Sequence, residues 1–140
     1  MEKDLTFLGF VILENKIKKE SKPTIEQLND CDVASIMATG DNILTAISVA
    51  KKSSIIGKEE IYVSELKENE LQWRSYSNAA GKSVSIDDIL ELDPSKYCLA
   101  LSSDCFQFIF DNQRQILKSL LPQAKVFARM SPDQKALLVQ

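Results

Sequence analysis

Four short runs in this chain are almost wholly apolar: LTFLGFVIL (residues 5–13), VASIMA (33–38), YCLAL (97–101) and KVFARM (125–130). Runs this short and this apolar read as strands buried on both faces. Helical patterns lie between them. Pro23 suits the first position of a helix running to about Asn29, because its missing N–H would be unpaired there. A second helix spans 42–53, with Ile43, Leu44, Ile47 and Ala50 on one face. Others follow at 106–110, at 113–121 closed by Pro122, and from Ser131 onward. Buried strands alternating with helices predict an α/β fold with a mostly parallel sheet.

Residues 57–92 differ in character. EIYVSEL and LQWRSYS alternate apolar with polar positions, and KENE separates them, which predicts a β-hairpin with a four-residue loop. NAAGKS reads as a turn, and Ser85 as the cap of a short helix in SIDDILEL. The stretch is expected to be an insertion on the edge of the core, peripheral and mobile beside it. Trp73 and Tyr76 read there as hairpin packing. Asp87 and Asp88 read as first-turn helix residues with no catalytic role.

Composition narrows the chemistry. The 140 residues contain no histidine, which excludes Ser-His and Cys-His catalytic pairs and any histidine-based metal site. Cys31, Cys98 and Cys105 are odd in number and widely spaced, as expected of reduced thiols rather than a disulfide framework. A net charge of −3 gives no global basic field for nucleic acid or an anionic membrane. No apolar run approaches the roughly 20 residues needed to span a bilayer. The first residues, MEKDLTFLGF, carry acids where a signal peptide needs basic groups.

Carboxylates, hydroxyls, lysines, arginine and helix ends remain, and two strand–helix joints bring them together. The first is Thr39-Gly40-Asp41-Asn42. In open parallel sheets ligands bind beyond the carboxyl ends of the strands, where helix N-termini attract phosphate. Gly40 would let the backbone approach an anion closely, and Asp41 or Asn42 can cap the helix. That would leave the Thr39 hydroxyl free to donate to a phosphoryl oxygen. The other reading is a solvated turn capped by Asp41 with nothing bound. The second joint is Ser131-Pro132-Asp133-Gln134-Lys135, in which Ser131 and Gln134 have capping-box spacing. Lys135 opposes the helix dipole by about 0.3–1 kcal/mol unless an anion sits beside it; the alternative is a surface lysine. Arg129, at the end of the preceding strand, could reach a phosphate or ribose, or serve as an ion-pair partner. Two anion-suited joints, each after a strand of one sheet, favour phosphate at both.

FLGFVILENKIKKESKPTIEQLND, IMATGDNILTAISVAKKSSII and VFARMSPDQKALLV, in this order and spacing, closely resemble the P-type ATPases. The wording LENKIKKESKPTI, TGDNILTAISVA and FARMSPDQK is most similar to the type V group. ISVA and DPSKYCLALSSDCF favour its B subgroup, linked to endolysosomal polyamine export. The resemblance covers residues 4–56 and 93–140. It implies a haloacid-dehalogenase-like, Rossmann-like sheet forming part of a cytoplasmic phosphorylation domain (residues 18–140, with 57–92 inserted). Residues 1–17 would be the last strand of the nucleotide-binding domain and a hinge at Glu14 to Lys16. Without its own sheet, the strand at 5–13 would lack partners.

By the same resemblance, Thr39 contacts the phosphoryl group, and Gly40 and Asp41 lie near nucleotide and phosphate. Lys135 neutralises the aspartyl phosphate and the attacking oxygen, and Arg129 is nucleotide-proximal. ATP and Mg²⁺ are implied for the parent, an ATPase on the cytosolic face of an endolysosomal or vacuolar membrane, with its remaining domains as partners. The sequence departs from the family in having neither the Asp-Lys-Thr-Gly nucleophile motif nor the magnesium-binding Gly-Asp-Gly-x-Asn-Asp motif. No metal ligands are therefore expected here, and the chain alone is expected to be an inactive fragment, a reading that its stop within a helical pattern favours. The alternative is a free-standing, non-catalytic α/β module that binds phosphate or nucleotide or acts in regulation.

Overall fold

The computed structural model describes residues 5–11, 16–78 and 80–140. In chain order the elements are α1 (Ser21–Asp30), β1 (Met37–Ala38), α2 (Ile43–Lys52), β2 (Glu60–Lys67), β3 (Glu70–Ser75), α3 (Ile86–Leu90) and β4 (Tyr97–Ser102). Then come α4 (Ser103–Asn112), α5 (Arg114–Leu120), a 3₁₀ turn (Leu121–Gln123), β5 (Ala124–Ala128) and α6 (Pro132–Val139). Among the described residues five strands form one sheet in the order β1-β5-β4-β2-β3. Every pairing is parallel except that of β2 with β3. This is the mostly parallel α/β sheet that the apolar runs and the family resemblance predict.

Helices cover both faces, and the central strands are apolar on both sides for that reason. In β4, Tyr97, Leu99 and Leu101 join a core with Ile89 of α3, Phe106 and Ile109 of α4, and Leu117 and Leu120 of α5. Cys98 and Ala100 point the other way, to Ala46, Ile47 and Ala50 of α2. In β5, Phe127 faces α4 while Val126 and Ala128 face α2. The first face is filled by large side chains, with Phe106 and Phe127 edge to face at 6.0 Å between centroids. The second pairs small strand residues with the alanines of α2. Burial of each large aliphatic or aromatic side chain contributes about 1.5–3 kcal/mol.

Several elements differ from the sequence reading, each for a physical reason. Residues 5–11 form no strand, and Phe7, Leu8 and Phe10 lie exposed; residues 12 and 13 fall outside the described residues. An extended segment needs a neighbour for its backbone groups, and none of the described strands pairs with this one. Of residues 33–38 only Met37 and Ala38 are strand, paired with Val126 and Phe127. β1 is an edge strand, so Val33 and Ile36 are exposed. Pro23 is the third residue of α1, whose N-cap position is Glu20, without a side-chain cap. Leu44, placed on the buried face of α2, is 61% exposed.

The hairpin is tighter and deeper than expected. Lys67 and Glu70 pair in the ladder, leaving a two-residue turn at Glu68 and Asn69 with φ of 47° and 67°. Two left-handed residues match the twist of the flanking strands, which favours this turn over a four-residue loop. β2 lies inside the sheet, pairing with β4 from Glu60↔Tyr97 to Val63↔Ala100. Trp73 on β3 and Ile89 on α3 are fully buried, and Ile61 is nearly so. Tyr76 lies under the Lys51 ammonium, 4.5 Å from the ring centroid. Ser85 caps α3 in a capping box with Asp88, as the sequence predicts.

At the opposite end of the sheet from the strand–helix joints, Lys125 Nζ donates to Glu59 Oε1 at 2.5 Å. Burial opposes ionisation of Glu59, but the Lys125 hydrogen bond and backbone N–H groups at Glu59 and Gly57 outweigh it and lower the pKa. Glu60 is lowered as well, first by the Ser75 hydroxyl, which donates to it at 2.6 Å. Cys98 and Cys105 are buried and Cys31 is exposed. Burial pushes the Cys98 thiol up to about 12.

Two outcomes are expected. Trp73→Ala should lower unfolding free energy by about 3–5 kcal/mol in urea, the usual effect of emptying a buried aromatic site; a change under about 0.5 kcal/mol would make the hairpin peripheral after all. Glu59 and Glu60 titrate lower in the native state, so their contribution is complete above the ordinary glutamate pKa and is lost as pH falls through the native one. Melting temperature should therefore drop on acidification below about pH 4.5, and less steeply in Glu59→Gln; identical acid limbs would contradict the assignment.

Candidate functional site

The two strand–helix joints meet. Thr39 N–H donates to the Phe127 carbonyl, Arg129 N–H to the Asp41 carbonyl and Met130 N–H to the Thr39 carbonyl, each at 2.9 Å. These bonds continue the two-residue ladder of β1 and β5 past both strand ends. They fix the Thr39–Asp41 turn against the entry to α6. Arg129 adopts φ 57° to make its bond, a left-handed conformation that costs a non-glycine residue about 1–2 kcal/mol.

Each side chain then has a local partner. Asn42, not Asp41, caps α2, its Oδ1 accepting from Thr45 N–H at 3.0 Å. Asp41 turns instead to Thr39, whose Oγ1 donates to Asp41 Oδ2 at 3.1 Å and accepts the Asp41 N–H at 3.1 Å. The Thr39 hydroxyl is thus occupied rather than free. To reach a phosphoryl oxygen, it must release a carboxylate that an incoming anion would itself repel. Gly40 does not have a positive φ, and a Cβ built on it meets nothing within 4 Å. The fold itself does not require glycine there.

At the second joint Ser131 accepts the Gln134 N–H at 3.2 Å and Gln134 Oε1 accepts the Ser131 N–H at 3.1 Å, with Pro132 at the first helical position. Gln134 Nε2 reaches the Ser103 carbonyl and Gln107 Oε1, both at 3.3 Å, so the start of α6 is fastened to α4. Lys135 lies one helical turn in, half-buried, and makes no ion pair among the described residues.

A third joint, absent from the sequence reading, completes the group. β4 ends in Ser102, whose Oγ accepts from Cys105 N–H at 3.4 Å and caps α4, with Asp104 in the first turn. Ser102 N–H donates to the buried Ser64 hydroxyl of β2 at 3.1 Å. The signal was legible in ALSSDCF, an apolar strand breaking into hydroxyls and an acid before a helix, as at the other two joints. Asn42, Ile43, Leu44, Ser102, Asp104, Ala128 and Arg129 line one open cleft of about 540 Å³ beyond the carboxyl ends of β4 and β5. The cleft takes in Arg129 but neither Thr39 nor Lys135.

The donor set suits an anion and does not suit a metal. One guanidinium, the hydroxyl cap Ser102, the amide cap Asn42 and the starts of two helices, α2 and α4, line the cleft, and Asp104 is the only carboxylate among its described lining residues. No cluster of three or more His, Cys, Asp or Glu side chains exists among the described residues.

Comparison with known proteins decides the relationship. The chain aligns over its whole length, at 35% identity, with the vacuolar cation-transporting ATPase YPK9 of Saccharomyces cerevisiae. It aligns equally fully, at 34%, with the probable cation-transporting ATPase 13A4 of Gallus gallus, and at 29% with the polyamine-transporting ATPase 13A3 of Mus musculus. This chain is a homologue of the type V P-type ATPases of the B subgroup. It spans only 11–13% of the length of these curated relatives. No protein-family model matches it.

Arg129→Gly should separate backbone from guanidinium. Glycine adopts φ 57° without strain, so thermal stability should hold or rise by about 1 kcal/mol equivalent. Arg129→Ala keeps the strain and should not gain. If both variants melt alike, the left-handed turn stores no strain.

Proposed function

We propose that this chain forms part of the phosphorylation domain of a membrane ATPase that couples ATP hydrolysis to cation or polyamine transport through an aspartyl phosphate. The observation that carries the reading is the backbone fastening of the Thr39–Asp41 turn to Arg129 and Met130, which joins both anion-suited motifs at the carboxyl ends of one parallel sheet. End-to-end similarity to cation-transporting ATPases supports it over a free-standing binding module.

In this reading each residue acts on charge. Thr39 exchanges its Asp41 partner for a phosphoryl oxygen on engagement, and Gly40 leaves room for that approach. Asp41 and Arg129 lie by the phosphate and nucleotide, Arg129 offering a planar fork suited to phosphate or ribose. Lys135 supplies a compact positive charge to the phosphoryl group and the attacking oxygen, at a helix end that already favours anions. ATP and Mg²⁺ belong to the parent. The side chains described here do not form a magnesium site, so no step is assigned to the metal through them.

The nucleophile must come from outside these residues, since the sequence has no Asp-Lys-Thr-Gly. Topology favours one place for it. β3 closes one side of the sheet as an antiparallel edge, whereas β1 leaves an unpaired edge among the described strands, directly before Thr39. A parallel strand added there would bring its carboxyl end beside the phosphoryl contacts. The isolated chain should therefore not form an acid-stable, hydroxylamine-sensitive phosphoprotein from labelled ATP. We place the parent on the cytosolic side of an endolysosomal or vacuolar membrane. The vacuolar name of the yeast relative supports this. No described helix is long and apolar enough to cross a membrane.

In the intact parent, Lys135→Ala should reduce ATPase turnover by about 100–1,000-fold. Its melting temperature should barely move, because the capping box does not use the lysine and stability should change by no more than about 1 kcal/mol. Lys135→Arg should restore turnover only in part. Near-normal turnover of Lys135→Ala, or loss of activity through unfolding, would make Lys135 a surface residue. Gly40→Ala supplies an independent check. The fold has room for the methyl and stability should rise slightly, by about 0.4–1 kcal/mol, while phosphorylation falls.

A further inference from the structure

Away from the joints just described, a second cleft of about 360 Å³ is lined by Lys16, Lys18, Lys19, Lys22 and Lys52, with Ile17 and Val49. Five of its seven lining residues are lysines and none is acidic, in a chain whose net charge is −3. Of these five lysines only Lys22 has an ion pair among the described residues, a loose one to Glu26 at 3.7 Å. The other four ammonium groups have no carboxylate of the described residues within salt-bridge reach.

Converging like charges repel one another unless a counter-charge occupies the space between them. Three further observations concern what that counter-charge would be. Four of the lysines, Lys16, Lys18, Lys19 and Lys22, belong to one stretch running into the first turn of α1, and the fold adds Lys52 from the last turn of α2. The cleft is concave, so several ammonium groups can address one ligand. Its lysines are compact, hydrated point charges suited to phosphate oxygens, with no arginine fork present to select a planar carboxylate.

We infer that this lysine-lined cleft binds a polyvalent phosphate anion, separately from the Thr39–Arg129 region. The two lie at opposite ends of α2: Asn42 caps its start and lines one cleft, and Lys52 ends it and lines the other, about 15 Å apart along a ten-residue helix. Such a ligand has two sources, a free polyphosphate or the phosphorylated headgroup of a membrane lipid. Both present several phosphate charges within the span of the cleft. Ile17 and Val49 are the apolar members of the lining.

The test uses the 140-residue chain and three probes: inorganic tripolyphosphate, a soluble inositol trisphosphate, and phosphatidylcholine vesicles with and without 5% (~) phosphatidylinositol bisphosphate, a routine level for reading headgroup electrostatics. Calorimetry should show saturable tripolyphosphate binding that weakens at least about tenfold when salt rises from about 50 to 300 mM, because screening acts on exposed charges. Lys18→Ala/Lys19→Ala/Lys52→Ala should weaken it about tenfold or more with unchanged circular dichroism. The arginine counterpart should retain most of the affinity, and Lys118→Ala, on α5 and outside both clefts, all of it. Binding of the free anions without vesicle co-sedimentation identifies a soluble ligand. Co-sedimentation confined to the phosphoinositide vesicles identifies a headgroup. No saturable binding of any probe, binding untouched by the triple variant, or binding abolished by Lys118→Ala would overturn the inference.

Discussion

Three backbone hydrogen bonds across the tips of β1 and β5 hold two of the strand–helix joints of this chain together. β1 contributes only two residue pairs to the ladder, too few to fix the loop that follows it. The bonds from Thr39, Arg129 and Met130 extend that attachment into the turns, each adding about 0.5–1.5 kcal/mol net. Their geometry dictates the left-handed backbone at Arg129, so the strained residue and the ordered turn are two halves of one feature. Strain of this kind persists only where the surroundings over-determine it, and here the surroundings are the buried ends of β5 and its neighbours.

The core explains how α2 comes to begin at that turn. Its Ala46 and Ala50 face Cys98, Ala100 and Ala128, and such small side chains on both partners bring a helix close to a sheet. The opposite face carries the large residues and absorbs the bulk of the burial, with α4 and α5 packed over Leu99, Leu101 and Phe127. The division has a mechanical result. α2 is placed by apolar packing of its alanines on the strands, while the start of α6 is tied to α4 by Gln134, with Leu137 and Leu138 packing on the core farther along the helix. The two helix starts beside the turn therefore have different kinds of support, one apolar and one hydrogen-bonded.

What the sequence made legible was local chemistry. Ser85 and Ser131 were readable as caps because the box pattern is satisfied within four residues, and the strands at Tyr97 and Lys125 because runs buried on both faces have little polar admixture. Readings that depended on a distant neighbour failed. Residues 5–11 look like a core strand, yet a strand exists only where another offers its edge. Val33 and Ile36 look buried, but they lie on the rim of the sheet. The Thr39 hydroxyl looked available because nothing in a string of letters shows that Asp41, relieved of capping by Asn42, folds back onto it. Ser102 and Asp104 were missed although their strand–cap–helix pattern repeats that of the other two joints.

The distribution of sulfur makes the molecule its own labelling reagent. Cys98 and Cys105 are sealed in the two cores, and Cys98 holds its proton up to about pH 12, whereas Cys31 stands exposed just after α1. A maleimide probe at neutral pH will therefore attach at one native position, without mutagenesis, on the helix that follows the segment read as a hinge. Fluorescence from that position reports on the surroundings of the C-terminal end of α1.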